Sequence, residues 1–324
     1  GYGTVMPRGS VPAALFLIGA CMAGASEASN GSEGAEPLAE AGERLLEAMF
    51  DAPRAVFEAD RDAADVEVLR WVARHFMHPD TSTPAGRRHM ARMGEVNTFA
   101  SGHLAELVTE EMVSLSAWDR QDVAGSARGG EVEVRVSDRV VMELGVGGGA
   151  AFVDVAATCQ RLGWRALGVD VSAASISATH KALEAAETGS AAYSLLLCDV
   201  SEGLWALPDA SVDVIYHLNC WYFWNDLPSA LRELHRVLKP GGVILAGSKV
   251  EGIASVFGPR LPEVSDMFRN MIQGDYTGAL TANGFMNSEE QVQKAAAEGS
   301  KNSRSSVVGY TLTRSIKKGN GAGM

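Results

Sequence analysis

Cysteine and positive charge are both scarce in this sequence, and each shortage excludes a class of protein. The 324 residues contain four cysteines, at Cys21, Cys159, Cys198 and Cys220. They fit neither a disulfide framework nor the spacing of a zinc site, and we expect no metal ion. Lys and Arg total 28 against 40 Asp and Glu, a net charge of -12. This balance argues against nucleic acid as a partner, because phosphate binding requires clustered cations.

The sequence also lacks a hydrophobic run long enough to cross a membrane comfortably. Val11–Gly24 is mostly small and apolar and follows Arg8, which is the shape of a secretory signal. Two interpretations stay open for residues 1–25: a signal or organelle-targeting segment, or a leader without a targeting role. The scattered cysteines are typical of the cytoplasm, so we expect a cytoplasmic protein with no stable membrane span.

Composition divides the rest of the chain into four parts. Residues 26–37 are small, polar and acidic, which is typical of a linker. Residues 38–130 are predicted to form a helical extension, because apolar residues recur there with helical spacing. This extension is either a cap over an active-site mouth or packing for one face of a sheet. Residues 131–315 are predicted to form the main domain, and residues 316–324 a flexible tail.

The main domain alternates predicted strands and helices. This order indicates an α/β fold, with a mostly parallel, doubly wound sheet and helices on both faces. A last, antiparallel strand is predicted at Ser305–Thr313, and no strand is predicted at Met286–Ala297, which is polar and helical in character. The parallel strands are predicted at Val140–Leu144, Ala166–Val169, Tyr193–Leu197, Val212–Tyr216 and Val243–Ala246.

The first predicted strand leads into a glycine-rich turn. The strand is followed by Gly145-Val146-Gly147-Gly148-Gly149-Ala150 and then by a helix-prone segment. Glycine allows the backbone to turn sharply and lets a ligand approach it closely. The second strand leads into Asp170, a position that holds a ribose hydroxyl in nucleotide-binding α/β folds.

Two kinds of ligand are compatible with the glycines alone. Gly145-x-Gly147-x-x-Ala150 fits the dinucleotide fingerprint, whose helix N-terminus receives a diphosphate. Glu143 stands directly before the turn, and its negative charge favours a cationic ligand over a diphosphate. With Glu143 included, the segment resembles the motif acid-x-Gly-x-Gly-x-Gly of the class I S-adenosylmethionine-dependent methyltransferases.

A second stretch carries the same resemblance. Leu207–Tyr216 is similar to the Leu-Pro-x-x-x-Ser-Phe-Asp-Val-Val run of the methyltransferase domain called type 11, and Ala230–Gly242 matches that group's helix and turn. The resemblance covers about Val140–Gly247. It implies a Rossmann-like fold with a seven-stranded sheet, and S-adenosyl-L-methionine as the cofactor.

The resemblance also implies which residues hold the cofactor. Asp170 is expected to bind the ribose hydroxyls, and Asp199 to lie near the adenine amino group with Val200 supplying a backbone contact. Leu218 and Asn219 are expected to line the methionine end. An alternative for Asp199 is a helix N-cap. The expected cofactor-binding set is Glu143, Gly145, Gly147, Gly149, Asp170, Asp199, Val200, Leu218 and Asn219.

The segment after the fourth strand departs from the family pattern. His217-Leu218-Asn219-Cys220 is followed by four aromatic residues, from Trp221 to Trp224. These aromatics either line an acceptor pocket, where cation–π attraction is available, or belong to the core. If the methyl acceptor must lose a proton, His217 and Tyr222 are the candidate catalytic residues.

The sequence therefore predicts a methyltransferase that moves a methyl group in line from S-adenosyl-L-methionine to a nucleophilic atom of a small molecule. Two other functions stay open. One is an NAD-dependent oxidoreductase, which rests on the dinucleotide pattern alone. The other is a cofactor-binding or interaction protein without turnover, which the unusual aromatic segment allows.

Overall fold

The structure, a computed structural model, describes residues 37–51, 65–77, 83–126, 139–248, 264, 270, 276–296 and 307–318. Three helices precede the sheet: α1 (Leu38–Asp51), α2 (Val66–Met77) and α3 (Pro84–Ser126). The helices expected before the main domain are therefore present. Residues 1–36, which hold the expected signal segment and nearly all of the expected linker, lie outside the described residues.

A seven-stranded sheet forms the centre of the fold. Its strands are β1 (Val140–Leu144), β2 (Arg165–Asp170), β3 (Tyr193–Leu197), β4 (Val212–Leu218), β5 (Leu238–Ser248), β6 (Phe285–Ala296) and β7 (Val307–Lys317). Their order across the sheet is β3-β2-β1-β4-β5-β7-β6. The first five are parallel, β7 is antiparallel to β5, and β6 is antiparallel to β7. The predicted Rossmann-like, mostly parallel sheet is confirmed.

Apolar cores lie on both faces of the sheet. On one face, α1 and α2 pack with Met142 of β1 and Ile215 of β4; on the other, α3 packs with Val141 and Val214 of the same strands. Alternate residues of a strand point to opposite faces, so each buried strand serves both cores. The remaining α-helices among the described residues are α4 (Phe152–Leu162), α5 (Ala173–Ala185), α6 (Val200–Gly203), α7 (Leu227–Val237) and α8 (Tyr276–Ala282).

Helix α3 is 43 residues long and runs against the direction of the parallel strands. Near its end, the carbonyl oxygen of Leu115 accepts a hydrogen bond from Arg139, which directly precedes β1. Near its middle, Asn97 accepts a hydrogen bond from Asn219, which directly follows β4. The 18 residues between the two contacts span about 27 Å of helix. The part of α3 around Asn97 therefore lies at the carboxyl edge of the sheet.

The prediction that Met286–Ala297 is helical was wrong. β6 pairs with β7 continuously in the antiparallel sense, apart from an irregularity between Met286 and Glu289. An edge strand needs hydrogen bonds from only one neighbour and can be polar on both faces. Its pairing with β7, rather than its own periodicity, specifies the strand.

Candidate active site

Three glycines with positive φ shape the turn after β1. Gly145, Gly147 and Gly149 have φ of 74°, 53° and 83°, in the left-handed region that disfavours other residues. A Cβ on Gly149 would lie 3.2 Å from Thr179 of α5, whereas a Cβ on Gly147 would meet nothing within 4 Å. The turn therefore packs on α5 on one side and presents bare backbone to open space on the other.

Asp170, at the end of β2, is tied to this turn. Its Oδ2 accepts a hydrogen bond of 3.0 Å from the backbone N–H of Gly147, and its Oδ1 accepts one of 2.8 Å from Ser172 N–H. The side chain of Ser172 in turn caps α5 by accepting from Ser175 N–H. Asp170, which is predicted to bind the ribose, therefore also holds the glycine turn in position.

Glu143 is buried directly beneath the turn. Burial raises the pKa of its carboxyl from 4.5 to about 8, the nearby Tyr216 hydroxyl opposes the rise, and the charge of Asp170 adds to it. Glu143 and Tyr216 are register partners on β1 and β4. Even so, neither Glu143 Oε2 nor the Tyr216 hydroxyl has an aligned hydrogen-bond partner in the described structure. A buried acceptor without a partner is costly, which marks this oxygen as a place for a ligand's donor.

Asp199 caps the short helix α6. Its Oδ1 accepts from the backbone N–H of Ser201 at 2.8 Å and its Oδ2 accepts from the Asn225 side chain at 3.2 Å. Val200 follows it and is buried. The alternative that Asp199 is an N-cap is therefore realised in this structure. Each carboxylate oxygen has a second lone pair, so a cap can also accept from a ligand.

Leu218 and Asn219 lie at the carboxyl end of β4. Asn219 has φ of 56°, and its backbone N–H donates to the carbonyl oxygen of Gly247 on β5 at 2.8 Å. Its side-chain amide donates to Asn97 Oδ1 on α3 at 3.2 Å. The left-handed conformation of a non-glycine residue is strained, and such strain is most often found at functional sites.

The two predicted catalytic residues are buried. His217 is inaccessible to solvent, a hydrogen bond of 2.7 Å joins its Nε2 to the Tyr276 hydroxyl, and its Nδ1 has no partner in the described structure. Burial lowers the pKa of His217 to about 3, so the imidazole is neutral at physiological pH. Burial also raises the pKa of Tyr222 well above its ordinary value.

The aromatic segment after β4 belongs mainly to the core. Trp221, Tyr222 and Trp224 are each less than a tenth exposed, and Trp221 stacks on Tyr276 with ring centres 4.9 Å apart. Asn270 fixes the segment, because its side-chain amide donates to the carbonyl oxygens of Trp221 and Trp224. Of the two interpretations left open by the sequence, the described structure favours the core.

Sequence reasoning missed a group of polar residues at the same edge of the sheet. A hydrogen bond of 2.7 Å joins His103 Nδ1 on α3 to the hydroxyl of Tyr310 on β7, across 207 positions of sequence. Asn97 reaches Asn219 from the same helix. No local motif marks these residues, because only the antiparallel course of α3 brings them to the ends of β4 and β5.

Comparison with known proteins identifies the family that the central segment resembles. The sequence profile of the family described as "Methyltransferase domain" matches residues 142–246. The chain contains a class I, S-adenosylmethionine-dependent methyltransferase domain. This confirms the family that the glycine motif and the Leu207–Tyr216 run predicted.

Relatives of the methyltransferase domain are similar to it over limited stretches. Malonyl-[acyl-carrier protein] O-methyltransferases of Serratia marcescens and Yersinia pestis are each 35% identical over 101 residues, which is 31% of this chain. The matched stretch spans 38% and 36% of those two proteins. The crystal structure of DszA carbon methyltransferase is similar in fold, with 18% identity, a TM-score of 0.50, and coverage of 87% of this chain and 67% of that one.

The geometry of the methyltransferase domain fits the family's cofactor. The carboxyl of Glu143 is buried two residues before the turn, where its negative charge would suit a cationic ligand. The open space over Gly147 and Gly148 lets a ligand lie directly on the backbone. Val171 and Leu197 are apolar, are 53% and 39% exposed, and lie beside Asp170, which offers a flat ring a hydrophobic surface.

Two further properties concern the described residues alone. None of their helices is both long enough and apolar enough to cross a membrane. No group of three or more His, Cys, Asp or Glu side chains in that part of the chain is arranged to hold a metal ion.

Proposed function

We propose that this protein transfers a methyl group from S-adenosyl-L-methionine to a nucleophilic atom of a small molecule. The observation that carries the proposal is the buried carboxyl of Glu143 at the end of β1, directly before a glycine turn whose backbone faces open space. When bound, the cofactor supplies a methyl group already activated by positively charged sulfur. The work left to the protein is to bind, to orient the acceptor and to exclude water.

Each cofactor-binding residue has a role that its position supports. Glu143 offers a negative charge to a cationic group once its proton is lost. Asp170 accepts hydrogen bonds from two backbone N–H groups at the end of β2, where its carboxylate can also accept from ribose hydroxyls. Asp199 and Val200 lie at the adenine end, and Leu218 and Asn219 at the methionine end. His217 and Tyr222 remain predicted catalytic residues, although both are buried.

The sheet argues against the NAD-dependent alternative. A dinucleotide-binding sheet of the doubly wound type continues in parallel to its sixth strand. Here the antiparallel strand β7 lies between β5 and β6. The carboxyl of Glu143 would also stand close to a diphosphate placed on the turn, and its negative charge, present once its proton is lost, disfavours that ligand.

The matched relatives suggest a second kind of acceptor, a carboxylate carried by a protein. Their name states that they act on malonyl-[acyl-carrier protein]. The family profile covers residues 142–246, so α3 and β7, which reach the acceptor side of the site, lie outside it. The small-molecule acceptor therefore stays our proposal, with the carrier-bound carboxylate as its competitor.

A transfer assay tests this function even while the acceptor is unidentified. The full chain is incubated with cofactor carrying a tritiated methyl group and a protein-free metabolite extract. We expect label in the extract with the wild-type chain and none with Gly147→Val. Cofactor binding without any transfer would favour the binding protein without turnover. Transfer only when malonyl-[acyl-carrier protein] is added would favour the carboxylate acceptor.

A further inference from the structure

Helix α3 carries one imidazole to the carboxyl edge of the sheet. Its central residues Leu104, Val108 and Met112 are fully buried against the sheet, so the helix is fixed in register. The two turns of helix directly before Leu104 then lie over the ends of β4 and β5. His103 and Asn97 are in this part of α3.

Tyr310, the hydrogen-bond partner of His103, packs against β5. Tyr310 is buried, and its ring lies 3.3 Å from the position that a Cβ on Gly247 would occupy. The carbonyl oxygen of Gly247 accepts from the backbone N–H of Asn219. Gly247 therefore lies between Tyr310 and Asn219. This puts the His103–Tyr310 pair close to the predicted methionine end of the cofactor.

The surroundings of the pair hold the imidazole in one orientation. Phe99 stacks on His103 with ring centres 5.9 Å apart and an angle of 15° between ring planes. Tyr310 meets His103 edge-on at 6.0 Å. Burial, together with the negative charge of Glu106, raises the pKa of Tyr310 to about 12, so its hydroxyl stays neutral and serves as a hydrogen-bonding group.

His103 differs from His217 in access. His217 is fully buried with Nε2 bonded to Tyr276, whereas His103 is partly exposed. Its Nδ1 is bonded to Tyr310, and its Nε2 makes no hydrogen bond within the described part of the chain. Phe99 beside it is 37% exposed. A partly exposed imidazole between an exposed aromatic ring and the end of β4 is placed where it can meet a bound acceptor.

We propose that His103, oriented by Tyr310, takes the proton from the methyl acceptor, and that the acceptor is therefore a hydroxyl or protonated amine rather than a carboxylate. This inference rests on the proposed function. His103 donates its Nδ1 hydrogen to the Tyr310 oxygen, which leaves the Nε2 lone pair for the acceptor. The acceptor's proton passes to Nε2, the acceptor's electron pair forms the bond to the methyl carbon, and the carbon–sulfur electron pair stays on sulfur.

The tautomer can be tested without cofactor or acceptor. Nitrogen-15 spectra of the full chain labelled at histidine distinguish protonated from unprotonated ring nitrogens, and His103→Gln assigns the signals. We expect hydrogen on Nδ1 and none on Nε2, and we expect Tyr310→Phe to disturb this state. Hydrogen on Nε2 of the neutral ring would overturn the inference, because that nitrogen could not accept a proton.

The acceptor class can be tested in the transfer assay with the metabolite extract. Methyl esters release their label as methanol in mild alkali, whereas methyl ethers and methylamines keep it. We expect alkali-stable label, and we expect His103→Gln to lower transfer by roughly 100-fold or more with cofactor affinity unchanged. The matched control His180→Gln changes an exposed imidazole on α5 and keeps full transfer.

The outcomes separate the two proposals. Alkali-labile label, or a His103→Gln chain as active as the wild type, would overturn the role of His103 and leave methyl transfer standing. No label from the wild-type chain, with cofactor bound, would end the proposed function and this inference with it.

Discussion

The carboxylate of Asp170 accepts a hydrogen bond of 3.0 Å from the backbone N–H of Gly147. The acid at the end of β2 thereby fixes the turn that follows β1. Gly147 also has its carbonyl oxygen bonded by Thr179 at 3.0 Å. Both backbone polar groups of Gly147 are therefore held by hydrogen bonds, so the bare face of the turn is preorganised for a ligand.

Replacement of Asp170 by Ala should weaken cofactor binding. The change removes a charged acceptor for the ribose hydroxyls, a loss of about 1–3 kcal/mol. Calorimetric titration with S-adenosylhomocysteine measures it. Because the variant also releases the turn, Ser172→Ala is the matched control: it removes the cap of α5 and should lower stability while cofactor affinity is kept. Unchanged affinity in Asp170→Ala would refute the ribose assignment.

Replacement of Gly147 by Val should abolish cofactor binding while the fold survives. Its φ of 53° strains any other residue by about 1–2 kcal/mol, and the added side chain would fill the open face of the turn. Gly163→Val is the control, because Gly163 has φ of 74° and equally open space but ends α4 away from the site. Calorimetric titration of both variants measures cofactor binding, and thermal unfolding shows whether each variant is folded. Normal binding by Gly147→Val would mean that the ligand does not lie on this turn.

Local pattern predicted much of the sheet and little of its assembly. The bounds predicted for β1 and β3 are those found, because each is an apolar run with clear ends. The last two positions of β4, His217 and Leu218, were missed because the pairing with β5 extends the strand beyond its apolar run. β6 was missed because its pairing, not its composition, makes it a strand.

The same limit applies to the candidate site. Gly145 and Gly147 lie close enough to Asp170 in sequence for a motif to include all three. In the structure Gly147 donates to Asp170, and Gly145 donates to the carbonyl oxygen of Val169 beside it. His103 and Tyr310 are joined only by the fold. A sequence scan for a base near the fourth strand selects His217, since nothing local shows that its ring points into the core.

Stability should fall with rising pH through Glu143. Burial raises its pKa from 4.5 to about 8, so between these values the native carboxyl keeps a proton that the unfolded chain has lost. The native state binds more protons there, and the free energy of unfolding decreases by up to about 1.4 kcal/mol for each pH unit. The contribution is fully present below the unfolded pKa and is lost as pH rises through about 8.

Glu143→Gln isolates this effect, because the amide is nearly the same size and does not titrate. Urea unfolding of both chains at about pH 5 and about pH 8 gives the two slopes. We expect the wild-type chain to lose more stability than Glu143→Gln over this interval. Equal losses would show that Glu143 titrates near its ordinary value.

Asp213 should matter for stability and not for the cofactor. It is buried, forms ion pairs of 2.8 Å with Arg139 and 2.7 Å with Lys239, and accepts from the Val140 backbone at the amino edge of the sheet. Asp213→Ala should cost about 3–5 kcal/mol in urea unfolding, because it removes a buried carboxylate from two ion pairs and from the Val140 backbone.

Asp209→Ala is the comparison for Asp213. Asp209 pairs with Arg236 at 2.7 Å, but its side chain is 79% exposed, and exposed pairs contribute about 0–1 kcal/mol. Similar losses in the two variants would mean that burial does not set the strength of these pairs. Altered cofactor affinity in Asp213→Ala would contradict the prediction, because it would show that a change at the amino edge of the sheet affects binding at the carboxyl edge.

The most direct test of the account asks which ligand the glycine turn accepts. Calorimetric titration of the full chain with S-adenosylhomocysteine, and separately with NADH, compares an adenosine compound without phosphate with a dinucleotide at the same site. We predict saturable binding of S-adenosylhomocysteine that is lost in Gly147→Val, and no binding of NADH. Binding of NADH, or no response to S-adenosylhomocysteine, would contradict the central claim.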